Sequence, residues 1–297
     1  TCPGDLMYSK LSSIRSTATS VYKAGVTDAN SETASATVVE TYTRPAGTSI
    51  AIAGRGYGHG RGMSQYGAYG AAQKGLTRDQ ILAFYYPNTT RSATLGNPTI
   101  RVRVTVIGSS TRVRYQNGLS ATDGKRSVSL GSKNADGSVR SEWRVLPNDG
   151  GLSLQYYYSG AWRGLAGWVG LLTPITLQNP TVGSLRVAMP DSTQRDYRGS
   201  IRTHLSGAST LPVNLVQLDS YLQSVVPSEM PASWSPAALE SQAVAARTFA
   251  MYQKAHQPTG SLYDTCDTTS CQAYKGMATY STSLTRSSYE YASSTAA

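Results

Sequence analysis

Glu229 is the residue whose surroundings most clearly suggest chemistry. It is the acidic side chain in residues 225–234, a largely apolar stretch that also contains two prolines. A carboxyl group there loses hydration, so we expect it to hold its proton more tightly than an exposed glutamate and to serve in proton transfer. The alternative is a solvated loop glutamate beside a hydrophobic turn, because most glutamates are exposed.

A second candidate segment, residues 54–68, is rich in glycine. Five glycines in its first nine positions allow positive φ angles and close approach to another group. Its candidate ligand-binding side chains are Tyr57, His59, Ser64, Gln65 and Tyr66. His59 could equally be a structural histidine that fixes a tight turn, since histidine serves both purposes. A phosphate-binding loop is disfavoured because no Lys-Ser or Lys-Thr pair follows the glycines.

Arg247 lies within an otherwise small-residue helical pattern. A buried arginine requires a partner, so it could hold Glu229, Glu240 or a group on a substrate. We favour a structural ion pair over direct catalysis, and a surface arginine on the outer helix face is the other alternative.

The elements that must position these residues are strands in the middle of the chain. Residues 100–106 and 111–115 alternate apolar and polar side chains, which predicts strands. Residues 37–43 and 49–53 predict a hairpin around a Pro-Ala-Gly turn. Asn-Gly and Asp-Gly pairs recur through the middle of the chain, and this spacing of turns favours a sheet or barrel body.

Helices are predicted before and after the strand-rich part of the chain. Thr77 and Gln80 form a capping-box pattern for a helix that should run to Tyr86 and stop before a proline. A helical pattern starting near Leu218 leads into Glu229. Ser235 and a following proline predict the start of a buried helix that ends near residue 254.

These patterns predict an α+β fold with a strand-rich body and a few helices packed around a binding cleft. We divide the chain into a β-rich lead-in, residues 1–48, and one composite domain, residues 49–297. Within that domain, residues 49–92 form the Gly-rich cleft segment, 99–210 a strand-rich insert and 211–297 the helical segment that carries Glu229. We expect the last segment to be incomplete at its C-terminal end.

Composition restricts the class of partner. The formal net charge is +10, but the basic residues are scattered and form no nucleic-acid motif. A diffuse polyanion therefore fits better than a nucleic acid, with general solubility as the alternative. The sequence has no apolar run long enough to span a bilayer. Its start at Thr1 agrees with an exported protein that has lost a leader, and equally with a trimmed chain.

Three segments together resemble the stage II sporulation protein D (SpoIID/LytB) family: residues 54–68, 225–247 and 263–274. The similarity covers residues 53–90 and about 211–280, and the strand-rich middle matches only in character. In this chain the Gly-rich segment precedes the Ser-Glu-Met segment, an order that we associate with secreted members.

The resemblance implies a secreted peptidoglycan lytic transglycosylase, a lyase that leaves a 1,6-anhydro end on N-acetylmuramic acid. Glu229 takes the position of the family's catalytic acid and needs no cofactor. Hydrolysis by the usual route would need a second carboxylate. The Gly-rich segment would line a groove in which His59, Ser64 and Gln65 bind polar groups and Tyr57 and Tyr66 lie against sugar rings.

The resemblance also implies partners and alternatives. The partners would be peptidoglycan glycan strands, anionic wall polymers and a cell-wall amidase, since part of the family is described as wall-bound amidase enhancers. A pure carbohydrate-binding module is a further alternative. Some members bind zinc with two cysteines and a histidine, but Ser270 replaces that histidine here, so we favour a disulfide between Cys266 and Cys271 over zinc. Cys2 is left unpaired by this assignment.

Overall fold

The structure, a computed structural model, describes strands Thr17–Thr27 and Thr33–Thr43 by their backbone and residues 62–92, 96–133, 137 and 139–297 in full. The described residues form two compact units. The first holds those up to Arg91 together with Trp234–Ser241, and the second holds Ser92–Ser233 and Gln242–Ala297. Tyr57 and His59 lie outside the described residues.

The described part contains 17 strands. They are β1 Thr17–Thr27, β2 Thr33–Thr43, β3 Thr99–Arg103, β4 Thr111–Arg114, β5 Ser120–Thr122, β6 Ser127–Ser129, β7 Glu142–Asn148, β8 Gly151–Tyr158, β9 Ala161–Gly164, β10 Ile175–Gln178, β11 Ser184–Ala188, β12 Gln194–Arg198, β13 Ser200–Ser206, β14 Ser209–Gln217, β15 Thr265–Cys266, β16 Ala278–Tyr280 and β17 Arg286–Ser288.

Two large sheets form the body of the second unit. One has seven strands in the order β15-β3-β14-β13-β10-β5-β6, and the other has eight in the order β17-β16-β12-β11-β4-β7-β8-β9. Pairing is antiparallel except between β15 and β3, which run parallel. Alternate residues from both sheets enter one hydrophobic cluster, among them Val102 and Ile201 from the first and Val113 and Val187 from the second. The hydroxyls of Thr111 and Thr203 meet at 2.7 Å.

Five α-helices are described. They are α1 Gln65–Gln73, α2 Arg78–Tyr85, α3 Leu218–Glu229, α4 Pro236–Ala255 and α5 Ala292–Ala296. The predicted capping box at α2 is confirmed: Thr77 donates its backbone N–H to Gln80 Oε1 at 2.9 Å, and Gln80 N–H reaches Thr77 Oγ1 at 3.4 Å. The carbonyl of Ser235 accepts hydrogen bonds from the N–H groups of Ala238 and Leu239 in the first turn of α4. The helix therefore begins at the proline after Ser235, as predicted.

One strand prediction needs a correction. The alternation in residues 100–106 predicted one strand, but β3 ends at Arg103 and Thr105–Ile107 form a 3₁₀ turn. The carboxylate of Asp267 accepts from the backbone N–H and hydroxyl of Thr105, and this satisfies the turn's first donors in place of a sheet partner. Residues 37–43 lie within β2, as predicted, and pair with β1, while the predicted hairpin to residues 49–53 falls outside the described part and stays a prediction.

The predicted α+β class and strand-rich body are confirmed. The two-residue turn between β7 and β8 is of the predicted Asp-Gly kind, with φ of 52° at Asp149 and 73° at Gly150, which matches a type I′ hairpin. The binding cleft and the domain boundaries stay predictions. Among the described residues, the helices are all too short or too polar to cross a bilayer.

Candidate active site around Glu229

Glu229 is the last residue of α3, and the buried face of that helix fixes where it lies. Leu218, Tyr221 and Val225 are fully buried on this face. Met230, directly after the helix, is 1% exposed and donates its N–H to the Val226 carbonyl at 2.9 Å. The helix end is therefore held in the core while the Glu229 side chain is half-buried.

The segment 264–274 brings a backbone donor to this carboxylate. The N–H of Ala273 donates to Glu229 Oε1 at 2.8 Å. Close by, the N–H of Lys275 donates to the Ser224 hydroxyl at 3.3 Å, which is a second bond between the segment's end and α3. Because the donor is a backbone amide, it fixes the orientation of the carboxyl group without adding a side chain to the site.

The start of segment 264–274 is fixed by charge. Asp264 is buried and accepts from the backbone N–H of Arg101 at 2.9 Å and from its guanidinium at 2.9 and 2.6 Å. Lys254 lies 3.3 Å from the same carboxylate. The backbone then continues as β15 beside β3. These contacts attach the segment to the sheet before it reaches Glu229.

A disulfide between Cys266 and Cys271 closes the middle of the segment. The two sulfurs are bonded to each other, so in this state neither is a thiolate that could bind zinc. Across the described residues, no three His, Cys, Asp or Glu side chains are grouped to hold a metal ion.

A buried polar and aromatic network supports the segment's other end. The Tyr221 hydroxyl donates to Gln272 Oε1 at 3.1 Å, and the Tyr274 hydroxyl donates to Asn214 Oδ1 at 2.7 Å. The Tyr221 and Tyr274 rings lie 5.0 Å apart. Burial raises the pKa of the Tyr221 phenol, and the negative charge of Glu229 adds to the shift, so this phenol stays neutral beside the carboxylate.

Arg247 forms an ion pair with Asp219 and donates to the Gly96 carbonyl at 3.1 Å. The sequence offered Glu229 or Glu240 as partners, whereas the structure pairs it with Asp219, and Glu240 lies 3.7 Å from Arg78. Asp219 belongs to the first turn of α3, so the pair joins α4 to the beginning of the helix that ends at Glu229.

The predicted binding residues Ser64, Gln65 and Tyr66 lie at the beginning of α1 in the first unit. Ser64 caps the helix by accepting from the Gly67 N–H at 3.1 Å. Gly67 has a steric reason to lack a side chain, because a Cβ there would lie 1.8 Å from the Tyr85 hydroxyl. Gln65 is half-buried, and Tyr66 is 66% exposed.

Tyr66 belongs to an aromatic cluster within the same unit. Its ring centroid lies 5.2 Å from that of Trp234, which stacks on Tyr69 at 4.5 Å and 23°. Whether this aromatic cluster faces the same ligand as Glu229 stays a prediction, as do the roles of Tyr57 and His59.

Sequence reasoning missed the groups that hold the Glu229 carboxyl. Ala273 lies in a segment that the family resemblance singled out, but it contributes only its backbone N–H, which no residue type reveals, and it is 44 residues from Glu229 along the chain. Tyr221, Gln272 and Tyr274 could have been suspected from one signal, the 20 tyrosines against 2 phenylalanines, because a buried tyrosine must find a partner for its hydroxyl.

Comparison with known proteins finds a family model that matches the Glu229 region. Residues 206–297, which include α3, α4 and segment 264–274, match the family model SpoIID, described as stage II sporulation protein. The predicted resemblance is confirmed there. Residues 64–66 lie outside the matched range. No solved structure matches the chain.

Three curated relatives show short similarities. An "Amidase enhancer" of Bacillus subtilis is 62% identical over 39 residues, which are 13% of this chain and 6% of that protein. "Stage II sporulation protein D" of the same organism is 51% identical over 43 residues, or 14% of this chain and 12% of that protein. An uncharacterized protein of Brachyspira hyodysenteriae is 36% identical over 81 residues, or 27% and 22%. The matches thus cover less than a quarter of each relative.

Proposed function

We propose that the chain is a cell-wall protein that cleaves peptidoglycan glycan strands as a lytic transglycosylase. The premise is the match of residues 206–297 to the SpoIID family model. The family match and the relative named Amidase enhancer support the coarser part, a role at the cell wall. The disulfide supports export, because such bonds persist in oxidising compartments.

The mechanism uses Glu229 twice. Its protonated carboxyl donates the proton to the oxygen that links N-acetylmuramic acid to N-acetylglucosamine, and the bond from C1 to that oxygen breaks with oxocarbenium-like character at C1. The C6 hydroxyl oxygen of the same sugar then bonds to C1, and its proton returns to Glu229. The carboxylic acid is regenerated and no water is consumed. The attack is intramolecular, so the nucleophile has a high effective concentration.

The observation that carries this proposal is the hydrogen bond from Ala273 to Glu229 Oε1. It holds the carboxyl at the end of a helix whose other face is fixed in the core. A carboxyl with a fixed orientation can present the same oxygen to the leaving group and then to the C6 hydroxyl, as the two proton transfers require.

The groups proposed to bind the glycan are those of the Gly-rich segment. Tyr66 presents an exposed ring beside Trp234, and aromatic faces suit the apolar faces of sugars. Ser64 and Gln65 would offer polar contacts from the same helix start, with Tyr57 and His59 before them. Arg247 positions α3 through Asp219 in this proposal and does not take part in bond cleavage.

The test compares wild type with Glu229→Gln on purified glycan strands that lack stem peptides. Mass spectrometry should find 1,6-anhydro-muramic ends with wild type and a loss of about 10²–10⁴-fold in their rate of formation with the variant, the usual contribution of a general acid. Glu240→Gln is the matched control, since Glu240 is a partly exposed glutamate paired with Arg78. Products that carry an added water molecule would contradict the lytic route.

The second candidate function is a non-catalytic amidase enhancer, favoured by the name of the relative that is 62% identical over 39 residues. Under this alternative, the glycan stays intact in the same assay while an added cell-wall amidase works faster. Glu229→Gln would then leave that stimulation unchanged. A pure carbohydrate-binding role predicts neither cleavage nor stimulation.

A further inference from the structure

The outer face of the eight-stranded sheet carries a row of arginines. In β4, β7 and β11 the inward residues Val113, Trp143 and Val187 are at most 1% exposed. The alternate residues of these strands therefore point away from the core. They include four arginines, namely Arg112, Arg114, Arg144 and Arg186.

This face has more positive than negative charge. Glu142, whose side chain is 8% exposed, accepts from both Arg112 at 2.5 Å and Arg114 at 2.8 Å. Arg186 pairs with Asp196 at 2.9 Å. Arg144 instead donates to the neutral amide oxygen of Gln155 at 2.9 and 2.7 Å, and in the described part of the chain no carboxylate lies within 4.0 Å of it.

The arrangement keeps like charges together. Arg112 lies directly opposite Arg144 in the sheet register, a pairing that destabilises a sheet. Burial, and then the charge of Arg112, lower the pKa of the Arg144 guanidinium. Both guanidinium groups lie over the Trp162 ring, with Arg144 4.1 Å and Arg112 5.5 Å from its centroid. A bound anion would relieve this repulsion.

The face is also concave next to the arginines. Two adjoining depressions share Arg114 and Gln194; Arg112 lines the first and Arg186 the second. The Arg114 Nε–H is buried and, within the described residues, has no hydrogen-bond partner. Arg112, Arg114 and Arg186 therefore line a concave surface that a linear ligand could follow.

We propose that this face binds a phosphodiester polymer, which contacts Arg112, Arg114 and Arg144 through successive phosphate groups. The excess positive charge favours an anionic partner, and the planar arginine fork suits phosphate oxygens. The face of Trp162 is covered by Arg144 and Arg112, so the surface offers charge in place of an aromatic ring for sugar stacking. That favours a polymer whose charge lies in its backbone. The site is separate from Glu229 and does not require cleavage of glycan.

The test measures the affinity of the full chain for poly(glycerol phosphate) by calorimetry at several salt concentrations. Arg144→Gln should weaken binding about three- to tenfold at low salt and lower the slope of log K against log salt by about one. Arg144→Lys keeps the charge but loses the planar guanidinium, so its affinity should lie between those of wild type and Arg144→Gln. A melting curve for each variant establishes that it is folded.

Arg103→Gln is the matched control. Arg103 is an exposed arginine of the seven-stranded sheet whose guanidinium lies 5.7 Å from the Tyr263 ring centroid, and its replacement changes the net charge equally. We expect it to bind like wild type. The proposal is overturned if Arg103→Gln weakens binding as much as Arg144→Gln, because net charge alone would then explain it. Equal binding by wild type and Arg144→Gln, or wild-type preference for a neutral chitin oligosaccharide, would overturn it as well.

Discussion

Asp264 and Glu229 are two carboxylates of the same unit that differ in burial and in the groups that donate to them. Asp264 is fully buried, and the guanidinium of Arg101 and the ammonium of Lys254 balance its charge. Glu229 is half-buried and accepts from the neutral backbone N–H of Ala273. Both contacts involve the segment 264–274, one at its beginning and the other near its end.

The difference teaches how a fold separates stability from chemistry. Asp264 is fully buried and its carboxylate oxygens are held by Arg101 and Lys254, so it holds the segment in place and cannot reach a ligand. Glu229 is partly accessible and oriented by a backbone amide, so its carboxyl can reach one. The first carboxylate attaches the segment to the sheet, and the segment then positions the second.

The largest expected effect follows from removing Asp264. Asp264→Asn leaves Arg101 without its counter-charge, and we expect a loss of about 3 kcal/mol in the free energy of unfolding. We place this at the low end for a buried pair because the Arg101 side chain is 34% exposed and can reach water. Glu229→Gln, measured by the same urea titration, should change the free energy by less than about 0.5 kcal/mol. Equal losses in the two variants would remove the distinction.

A smaller effect is expected at alkaline pH from the aromatic side of the segment. The ring of Tyr197 lies 5.9 Å from that of Tyr274, and burial raises the pKa of Tyr197 from 10.0 to about 12. The folded state therefore keeps this proton to a higher pH than the unfolded state does. The contribution of this proton to the free energy of unfolding is complete below pH 10 and is lost as the pH rises toward 12. The loss amounts to about 2–3 kcal/mol.

Urea titrations at pH 9 and pH 12 measure this loss. Tyr197→Phe removes the ionisable group and keeps the ring, so it should flatten this part of the pH dependence. If the free energy of unfolding of Tyr197→Phe falls between pH 9 and pH 12 as much as that of wild type, the loss comes from other groups.

The smallest effect is expected from removing the disulfide, which lies between Asp264 and Ala273 in the segment. Cys266 and Cys271 are five residues apart, so the closed loop is short and its contribution should be about 2 kcal/mol. The paired replacement by serine should lower the melting temperature and slow glycan cleavage less than Glu229→Gln does, because Asp264 and Tyr274 still hold the segment. Cleavage abolished in a folded variant would show that the disulfide, and not these contacts, orients Ala273.

Local signals in the sequence predicted the helices well. Thr77 with Gln80, and Ser235 before a proline, mark helix starts through contacts between residues within one turn, and both were found. Alternation likewise predicted β4 and most of β3. Where β3 ends depends on Asp267, a residue more than 160 positions away, and no local pattern contains that information.

The candidate site could be predicted in part for the same reason. Glu229 was found because its neighbours in the chain are unusual, whereas its contact with Ala273 and the pairing of Arg247 with Asp219 join segments that are distant in sequence. For Arg247 a partner could be expected, but its identity depends on how α3 lies against α4. Long-range contacts of this kind follow from topology.

The parallel pairing of β15 with β3 has a consequence for synthesis of the chain. The bonds between Arg101 and Asp264 join residues 163 positions apart, and the other neighbour of β3, β14, ends at Gln217, so one edge of the β3–β14 pair stays open until residue 264 has been made. At about 5–20 residues per second this wait is roughly 2–10 s. During that time an open strand edge is available to other chains, and a holding chaperone would be most useful then.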